Sequence, residues 1–231
     1  MFFLFSGEGP TDLGTCVDQV GPLTIVVDQI VCAKHDYSLL ESEVFGFVPK
    51  AMLGEYAEKE LRPGSKFIRL PGGRIKKETR FFHENARALA RIAIQHGKDT
   101  DGDEVVAILF RDGDKPDERG VWENKRESII AGFEAENFPR GVPMVPKSVS
   151  EAWMLCGLYK QRDPHREYHF LEEEKHGPGS RHQLKDTLKN ELGEEPDREM
   201  LCDKVRSNEI NFSRVDLASY VAFRERFEEV I

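Results

Sequence analysis

The sequence predicts an α/β fold in which helices flank a mainly parallel sheet. Strand-like and helix-like apolar patterns alternate over residues 1–160 of the 231-residue chain, as they do in βαβ units. One strand-like segment, residues 104–110, is a near-continuous apolar run of the kind that parallel sheets bury on both faces. Only helical patterns follow residue 180. We therefore expect an α/β core over residues 1–160 and, over residues 161–231, a loop and helical C-terminal extension packed on that core.

Local composition marks the elements of the first half of the chain. Apolar and β-branched segments predict strands at residues 1–6, 23–31 and 66–70. Between the first two, Pro10 suits the first turn of a helix, which we expect over residues 11–20. Residues 35–64 mix short apolar patches with charge and predict no particular element.

The second half begins with a strongly amphipathic helix. We expect this helix over residues 76–96, ended by Gly97. Its apolar face is formed by Phe82, Ala86, Leu89 and Ala93. Further elements are expected at residues 104–110 (strand), 122–137 (helix), 142–145 (strand) and 151–159 (helix). Ser150 is placed to cap the last of these.

The extension opens with a polar segment and then becomes helical. Residues 160–180 are rich in charge, proline and glycine and predict a mobile loop. His165 and His169 are four residues apart, but Pro164 and the missing Glu partner exclude an H-E-x-x-H zinc motif, so we do not assign the histidines as metal ligands. The helical part ends in an apolar stripe made by Tyr220, Phe223, Phe227 and Val230.

Charge and composition restrict the class of protein. The net charge is −9, and the chain lacks the run of about 20 apolar residues that a membrane span requires. Residues 1–5 are apolar but lack the basic flank of a secretion signal, so we expect a cytoplasmic protein that does not engage membranes. An acidic chain does not hold nucleic acid by counterion release alone, so a metal, a basic patch or a partner must contribute. The four cysteines form no metal-binding pair and are expected to be reduced and mostly buried.

Acidic residues follow three of the predicted strands. They are Glu8 and Asp12 after the first strand, Asp112 and Asp114 after residues 104–110, and Glu151 after residues 142–145. The carboxyl ends of parallel strands meet at one edge of the sheet, where ligands bind in open α/β folds. Carboxylates gathered there repel one another unless a cation lies between them, and Mg²⁺ suits such oxygen ligands. The simpler alternatives are helix N-terminal acids for the first pair and the last residue, and an ordinary Asp-Gly turn for the middle pair.

Taken together, these motifs resemble a Toprim domain. The resemblance is carried by Glu8-Gly9, Asp112-x-Asp114 and Ser150-Glu151-Ala152-Trp153, and it covers about residues 1–155. Toprim is the metal-binding fold of topoisomerases, primases and OLD-type nucleases. The chain is most similar to small bacterial Toprim-like proteins, several of them related to OLD nucleases and suspected in anti-phage defence. It departs from the family where Ser150 directly precedes Glu151 instead of lying two residues before it.

The resemblance implies a Mg²⁺-dependent nuclease, with Mn²⁺ as a substitute ion, acting on DNA or on RNA such as tRNA. It assigns one metal to Glu8, Asp112 and Asp114. A second metal, about 4 Å from the first in two-metal sites, would be shared by Asp12 and Glu151. Lys185 corresponds to a late lysine that adds positive charge at the scissile phosphate.

Two other functions fit the same residues. The chain has no nucleotide-binding loop, whereas OLD-type enzymes pair Toprim with an ATPase, so it would alternatively be an effector subunit that is inactive until an ATPase partner controls it. Phosphatases of the haloacid-dehalogenase kind also use Asp-x-Asp after a strand, but there Thr or Val follows, and here the next residues are Lys115-Pro116. A homodimer is compatible with either function.

Overall fold

The computed structural model describes residues 1–7, 11–57, 77–100, 102–113, 121–147, 149–173 and 180–231. In chain order the strands are β1 (Phe2–Ser6), β2 (Gly14–Cys16), β3 (Gln19–Val20), β4 (Phe45–Phe47), β5 (Val105–Phe110) and β6 (Gly141–Met144). The helices are α1 (Pro22–His35), α2 (Lys50–Tyr56), α3 (Lys77–Asp99), α4 (Val121–Ala135), α5 (Ser150–Arg162), α6 (Phe170–Glu173), α7 (Ser180–Leu192), α8 (Arg198–Arg206) and α9 (Ala218–Val230).

Four of the strands form a parallel sheet in the order β4-β1-β5-β6, while β2 and β3 form a separate antiparallel hairpin. The central strands end nearly level, since Ser6 pairs with Leu109 and Phe110 pairs with Met144. The predicted α/β class, with a mainly parallel sheet, flanking helices and a C-terminal helical extension, is confirmed. Its arrangement is consistent with a Toprim-like fold.

Helices cover both faces of the sheet because side chains along β1 alternate between two cores. On one face, Leu4 joins a core built from α2, α3 and α4, with Leu53, Leu89, Ile129 and Phe133 among its members. On the other face, Phe3 and Phe5 join a larger core that includes residues of α1, α5, α7, α8 and α9. Each large apolar side chain buried in this way stabilises the fold by about 1.5–3 kcal/mol.

Two predicted elements in the first half are wrong. Residues 11–20 form a turn and the β2–β3 hairpin instead of a helix, and Gly14 has a φ of +95°, which a right-handed helix does not contain. Residues 23–31 belong to α1 instead of a strand. Helix α1 begins at Pro22 and buries the consecutive residues 22–27, because it lies between the sheet and the C-terminal helices. A continuous apolar run therefore does not distinguish it from a buried strand.

The first strand and the elements predicted at residues 76–96, 104–110, 122–137, 142–145 and 151–159 agree with the structure to within a few residues. Helix α3 continues past Gly97 to Asp99, and α5 extends to Arg162. Strand β4 and helix α2, in the segment without a clear pattern, were not predicted. The strand expected at residues 66–70 lies outside the described residues. In the described part of the polar segment 160–180, a short helix, α6, replaces loop.

The C-terminal extension is joined to the core by buried polar contacts as well as apolar ones. The indole Nε1 of Trp153 in α5 donates a 2.7 Å hydrogen bond to Ser219 Oγ in α9. The same hydroxyl donates to the buried carboxylate of Glu172 in α6, which also accepts from the Ser219 amide. Lys160 forms a 2.6 Å ion pair with Asp216. The predicted stripe on α9 is buried against the core, as the pattern of Tyr220, Phe223, Phe227 and Val230 required.

In the described part of the chain, no helix combines the length and the apolar character needed to cross a membrane. The four cysteines are unpaired thiols, as expected. Only Cys156 and Cys202 are fully buried; Cys32 is partly exposed and Cys16 is exposed, so the expectation that most are buried holds for two of the four.

Candidate functional site

The carboxyl ends of β1 and β5 meet in a tightly packed corner. Gly7 follows β1, and a methyl group added there would lie 2.6 Å from Leu13 Cδ1 and 3.2 Å from Phe110 Cδ1. Leu13 directly follows Asp12, and Phe110 directly precedes the Arg111–Gly113 segment. The corner therefore brings both of these segments to the end of β1. Short strands that end level, followed by small or tightly packed residues, create this proximity.

Asp12 is fixed by backbone contacts to the first turn of α1. Its carbonyl accepts a 3.0 Å hydrogen bond from the Leu23 amide. The next carbonyl, that of Leu13, accepts from the Gly21 amide and from Thr24 Oγ1, each at 2.7 Å. Asp12 is therefore not an N-terminal acid of its own helix, as the simpler interpretation held, but a residue of a loop that is anchored to α1.

Ser150 connects α5 to Asp12. The Ser150 side chain is 3% exposed, and its Oγ donates a 2.5 Å hydrogen bond to Asp12 Oδ1. The prediction that Ser150 caps the helix is wrong: α5 begins at Ser150, its N-cap is Val149, and no side chain caps that end. The hydroxyl is available to Asp12 because it lies inside the first turn of α5 and points across to the loop.

Glu151 and Lys185 complete the cluster from two different helices. Glu151, in the first turn of α5, has an 18% exposed side chain, and its Oε1 lies 3.5 Å from Lys185 Nζ on α7. Lys189, one turn further along α7, instead forms a 2.6 Å ion pair with Glu195. Of the two lysines considered from the sequence, the structure thus places Lys185 at the carboxylates and directs Lys189 elsewhere.

The Asp12 carboxyl has an altered proton affinity. Burial is the main cause that raises its pKa from 3.8 to about 6; the neighbouring Glu151 raises it further, while the hydrogen bond from Ser150 and the charge of Lys185 lower it. A buried carboxylate beside a second carboxylate costs free energy when it is ionised. An additional cation at this position would reduce that cost.

Asp112 lies at the same edge of the sheet, on the loop after β5. It is partly buried, and its Oδ1 is shielded from solvent. Next to it, a methyl group on Gly113 would lie 2.3 Å from Lys147 O and 2.5 Å from Pro146 O. The loop after β5 therefore packs directly on the loop after β6, the loop that leads into Glu151.

Two predicted ligands, Glu8 and Asp114, lie outside the described residues. Among the residues that are described, no three His, Cys, Asp or Glu side chains are grouped closely enough to hold a metal. The structure brings together Asp12, Glu151 and Lys185, as the sequence suggested, with Ser150 as a further member. It places Asp112 at the same edge.

The chemistry of these side chains fits Mg²⁺ or Mn²⁺. Asp12 and Glu151 supply hard carboxylate oxygens, which Mg²⁺ prefers, together with positions that water can fill. The raised pKa of Asp12 has burial as its main cause, and the nearby charge of Glu151 adds to it. Asp12 and Glu151 are thus the described residues that could supply oxygen ligands to a divalent cation, with Asp112 at the same edge.

Two buried cations beside the site were not anticipated. Arg111 is fully buried, and its Nη1 donates a 2.7 Å hydrogen bond to the Phe110 carbonyl. Lys125 of α4 is 4% exposed, and its Nζ donates to the Gly113 carbonyl. For Lys125 a signal existed: it precedes the buried residues Ile129 and Phe133 by four and eight positions, so a lysine occupies the apolar face of a helix.

A groove of about 640 Å³ lies between α1 and α9, lined by Ile30, Lys34, Phe212, Tyr220 and Arg224 among others. None of the predicted site residues that the structure describes lines it. Comparison of the chain with models of protein families, with curated proteins and with solved structures gives no match. The resemblance to Toprim proteins thus stays an expectation that the short motifs carry.

Proposed function

We propose that the protein is a Mg²⁺-dependent enzyme that hydrolyses phosphodiester bonds in DNA or RNA. The observation that carries the proposal is the meeting of Asp12, Ser150, Glu151 and Lys185 at the carboxyl edge of a parallel sheet. These residues come from a loop, from α5 and from α7, which are far apart in sequence. Two carboxylates, a hydroxyl and an ammonium meet there, and an acid whose pKa is raised by burial and a neighbouring charge is typical of a functional site.

Each residue has a distinct part in this proposal. Asp12 and Glu151 bind the divalent cation, and the Ser150 hydroxyl holds the Asp12 carboxylate in one orientation. Asp112 adds a carboxylate from the next strand, and Glu8 and Asp114 are assigned with it from the sequence. When bound, the cation supplies Lewis-acid charge that activates water and stabilises the leaving oxygen.

We assign Lys185 to a substrate phosphate. Its side chain is 59% exposed, and its Nζ is 3.5 Å from Glu151. An exposed ammonium next to metal-binding carboxylates can contact a phosphate of a large substrate without enclosing it. Developing negative charge at the scissile phosphate would be stabilised by this group.

The acidic character of the chain favours a second, related function. With a net charge of −9, the protein gains little affinity for a polyanion from its overall field. We therefore also propose that the protein is a cytoplasmic effector subunit controlled by an ATPase partner, which would supply the affinity for nucleic acid. Anti-phage defence is the role that the family resemblance suggests. Both functions use the same metal site, and a homodimer would be compatible with either.

The proposal is tested by measuring Mn²⁺ binding and nucleic-acid cleavage with the same preparations. Purified protein is titrated with Mn²⁺ in a calorimeter and incubated with Mg²⁺ or Mn²⁺ on plasmid, single-stranded DNA and tRNA. We expect Asp112→Ala and Glu151→Gln to lose cleavage and to weaken Mn²⁺ binding. Cleavage that survives both substitutions would refute the assignment. Binding without cleavage would favour the partner-controlled effector, and recovery of no ATPase with the protein from its native host would count against that alternative.

A further inference from the structure

A buried lysine holds the loop that carries Asp112. Lys125 lies in the second turn of α4 with 4% of its surface exposed. Its Nζ donates a hydrogen bond to the Gly113 carbonyl and lies 5.4 Å from the centre of the Phe82 ring. Burial of an ammonium is unfavourable unless hydrogen bonds and favourable charge interactions compensate. The hydrogen bond to the Gly113 carbonyl is one contact that compensates this ammonium, and it ties the start of α4 to the loop after β5.

The loop cannot easily rearrange around this contact. At Gly113 a methyl group would approach two backbone carbonyl oxygens, Pro146 O at 2.5 Å and Lys147 O at 2.3 Å. The backbone at Gly113 is thus confined between the ammonium of Lys125 on one side and the chain after β6 on the other. Asp112 directly precedes Gly113, so the confined backbone also restricts the direction in which the Asp112 side chain leaves the loop.

The same helix also holds the neighbouring loop. Trp122, in the first turn of α4, donates a 2.7 Å hydrogen bond from Nε1 to the Val145 carbonyl, just after β6. Trp122 and Lys125 therefore fix two successive loops at the carboxyl edge, those after β5 and β6. One loop carries Asp112 and the other leads into Glu151, so the start of α4 sets the spacing between two candidate metal-binding segments.

We propose that Lys125 is a positioning residue of the metal site: through the Gly113 carbonyl, its ammonium fixes the loop backbone and so the orientation of the Asp112 carboxylate. The proposal rests on the proposed metal-dependent function. Lys125 is buried, so its effect on the site passes through the loop whose Gly113 carbonyl it contacts. Groups that orient metal ligands in this way typically change metal affinity about 10- to 100-fold when they are removed.

The test compares Lys125→Met with Lys125→Gln. Met retains the length and apolar packing but offers no hydrogen-bond donor, whereas Gln retains an N–H donor without the charge. If the lysine only fills space, Met should match or exceed Gln in every measurement. If it positions the loop, we expect Mn²⁺ affinity to fall about tenfold or more for Met and by less for Gln. Amide hydrogen exchange of the peptide containing Gly113, measured without metal, should accelerate in the same order.

Lys160→Met is the matched control. Lys160 is also a buried lysine, 6% exposed and paired with Asp216 at 2.6 Å, but it lies nine residues after Glu151 on α5, about 14 Å along the helix axis. We expect this variant to lose stability while its folded fraction keeps wild-type Mn²⁺ affinity and wild-type exchange at Gly113.

The outcomes separate this inference from the proposed function. Wild-type affinity and wild-type exchange in Lys125→Met would overturn the positioning role while leaving the metal site intact. If the wild-type protein binds no Mn²⁺, the proposed function fails, and exchange at Gly113 still decides whether Lys125 holds the loop. If Lys125→Met does not fold, Lys125→Gln decides: exchange at Gly113 equal to that of the wild type would contradict the role.

Discussion

The Ser150 hydroxyl donates a 2.5 Å hydrogen bond to the Asp12 carboxylate across 138 positions of sequence. The bond joins the loop after β1 to the first turn of α5 and is largely shielded from solvent, since Ser150 is 3% exposed. A hydrogen bond from a hydroxyl to a carboxylate favours the ionised acid. Ser150 thus opposes the effect of burial on Asp12, and it orients the oxygen atoms that we assign to the cation.

Replacing Ser150 by Ala should shift the titration of Asp12. Because the hydrogen bond lowers the pKa of Asp12, its removal should raise the midpoint above the value of about 6. Carboxyl-carbon NMR of Asp12 as a function of pH measures this midpoint directly. Ser207→Ala, which removes an exposed serine hydroxyl, is the control. An unchanged midpoint in Ser150→Ala would show that the bond does not influence the acid.

The partly buried Asp12 should contribute less to stability at neutral pH than at acid pH. Its pKa is raised from 3.8 to about 6 in the folded protein, so the folded state binds a proton more tightly than the unfolded state. The favourable contribution is complete below pH 3.8 and is lost as the pH rises through about 6. A shift of this size corresponds to about 3 kcal/mol.

Asp12→Asn should therefore stabilise the protein at pH 8 in the presence of EDTA, by roughly 2–3 kcal/mol, and change little at pH 4. Urea unfolding at the two pH values measures both differences. Added Mn²⁺ should stabilise the wild type but not the variant, because the variant lacks the carboxylate. A variant that is less stable than the wild type at pH 8 would contradict the interpretation of Asp12 as a functional, destabilising group.

Lys185 and Lys189 offer a matched pair of substitutions on one helix. Lys185 lies 3.5 Å from Glu151, and Lys189 pairs with Glu195 away from the site. We expect Lys185→Met to reduce single-turnover cleavage by about 100-fold at saturating Mn²⁺, as the loss of one charge-stabilising group typically does. Lys189→Met should retain the wild-type rate. Equal rates for the two variants would remove Lys185 from the proposed site.

Ser219 should stabilise the packing of the C-terminal extension on the core. Its hydroxyl accepts from Trp153 Nε1 and donates to Glu172, and all three residues are buried. Ser219→Ala leaves two buried polar groups without that partner, at a cost of about 1–3 kcal/mol each. We expect a clear loss in the free energy of unfolding with no change in Mn²⁺ affinity of the folded protein. Denaturant titration and calorimetry measure the two quantities, and an unaffected stability would argue against this account.

The site was predictable to the extent that strand ends determine it. Asp12 and Glu151 each follow a strand, and parallel strands that end level bring such residues to one edge. Whether an acidic residue follows a strand is read from chain order alone. The expectation that it lies at this edge therefore does not depend on how the next element is predicted. Asp12 lies at this edge, in contact with Ser150, even though residues 11–20 were expected to be helical.

The remaining differences arise from tertiary contacts that local patterns do not contain. The helix expected at residues 11–20 gives way to a hairpin because Gly14 adopts a positive φ. Residues 23–31 form a helix that is buried along much of its surface, so their composition resembles that of a buried strand. Ser150 would be a standard cap by sequence, but its hydroxyl is used by Asp12, a partner that only the folded chain brings within reach.

The exposed hairpin beside Asp12 offers a site for a fluorescent label. Cys16 is exposed and lies four positions after Asp12, whereas Cys156 and Cys202 are buried. Burial raises the pKa of the Cys156 thiol to about 12 and also raises those of Cys32 and Cys202, which slows their reaction with maleimides. A single fluorophore would therefore attach at Cys16 without mutagenesis, where its emission would report the arrival of metal or nucleic acid in real time.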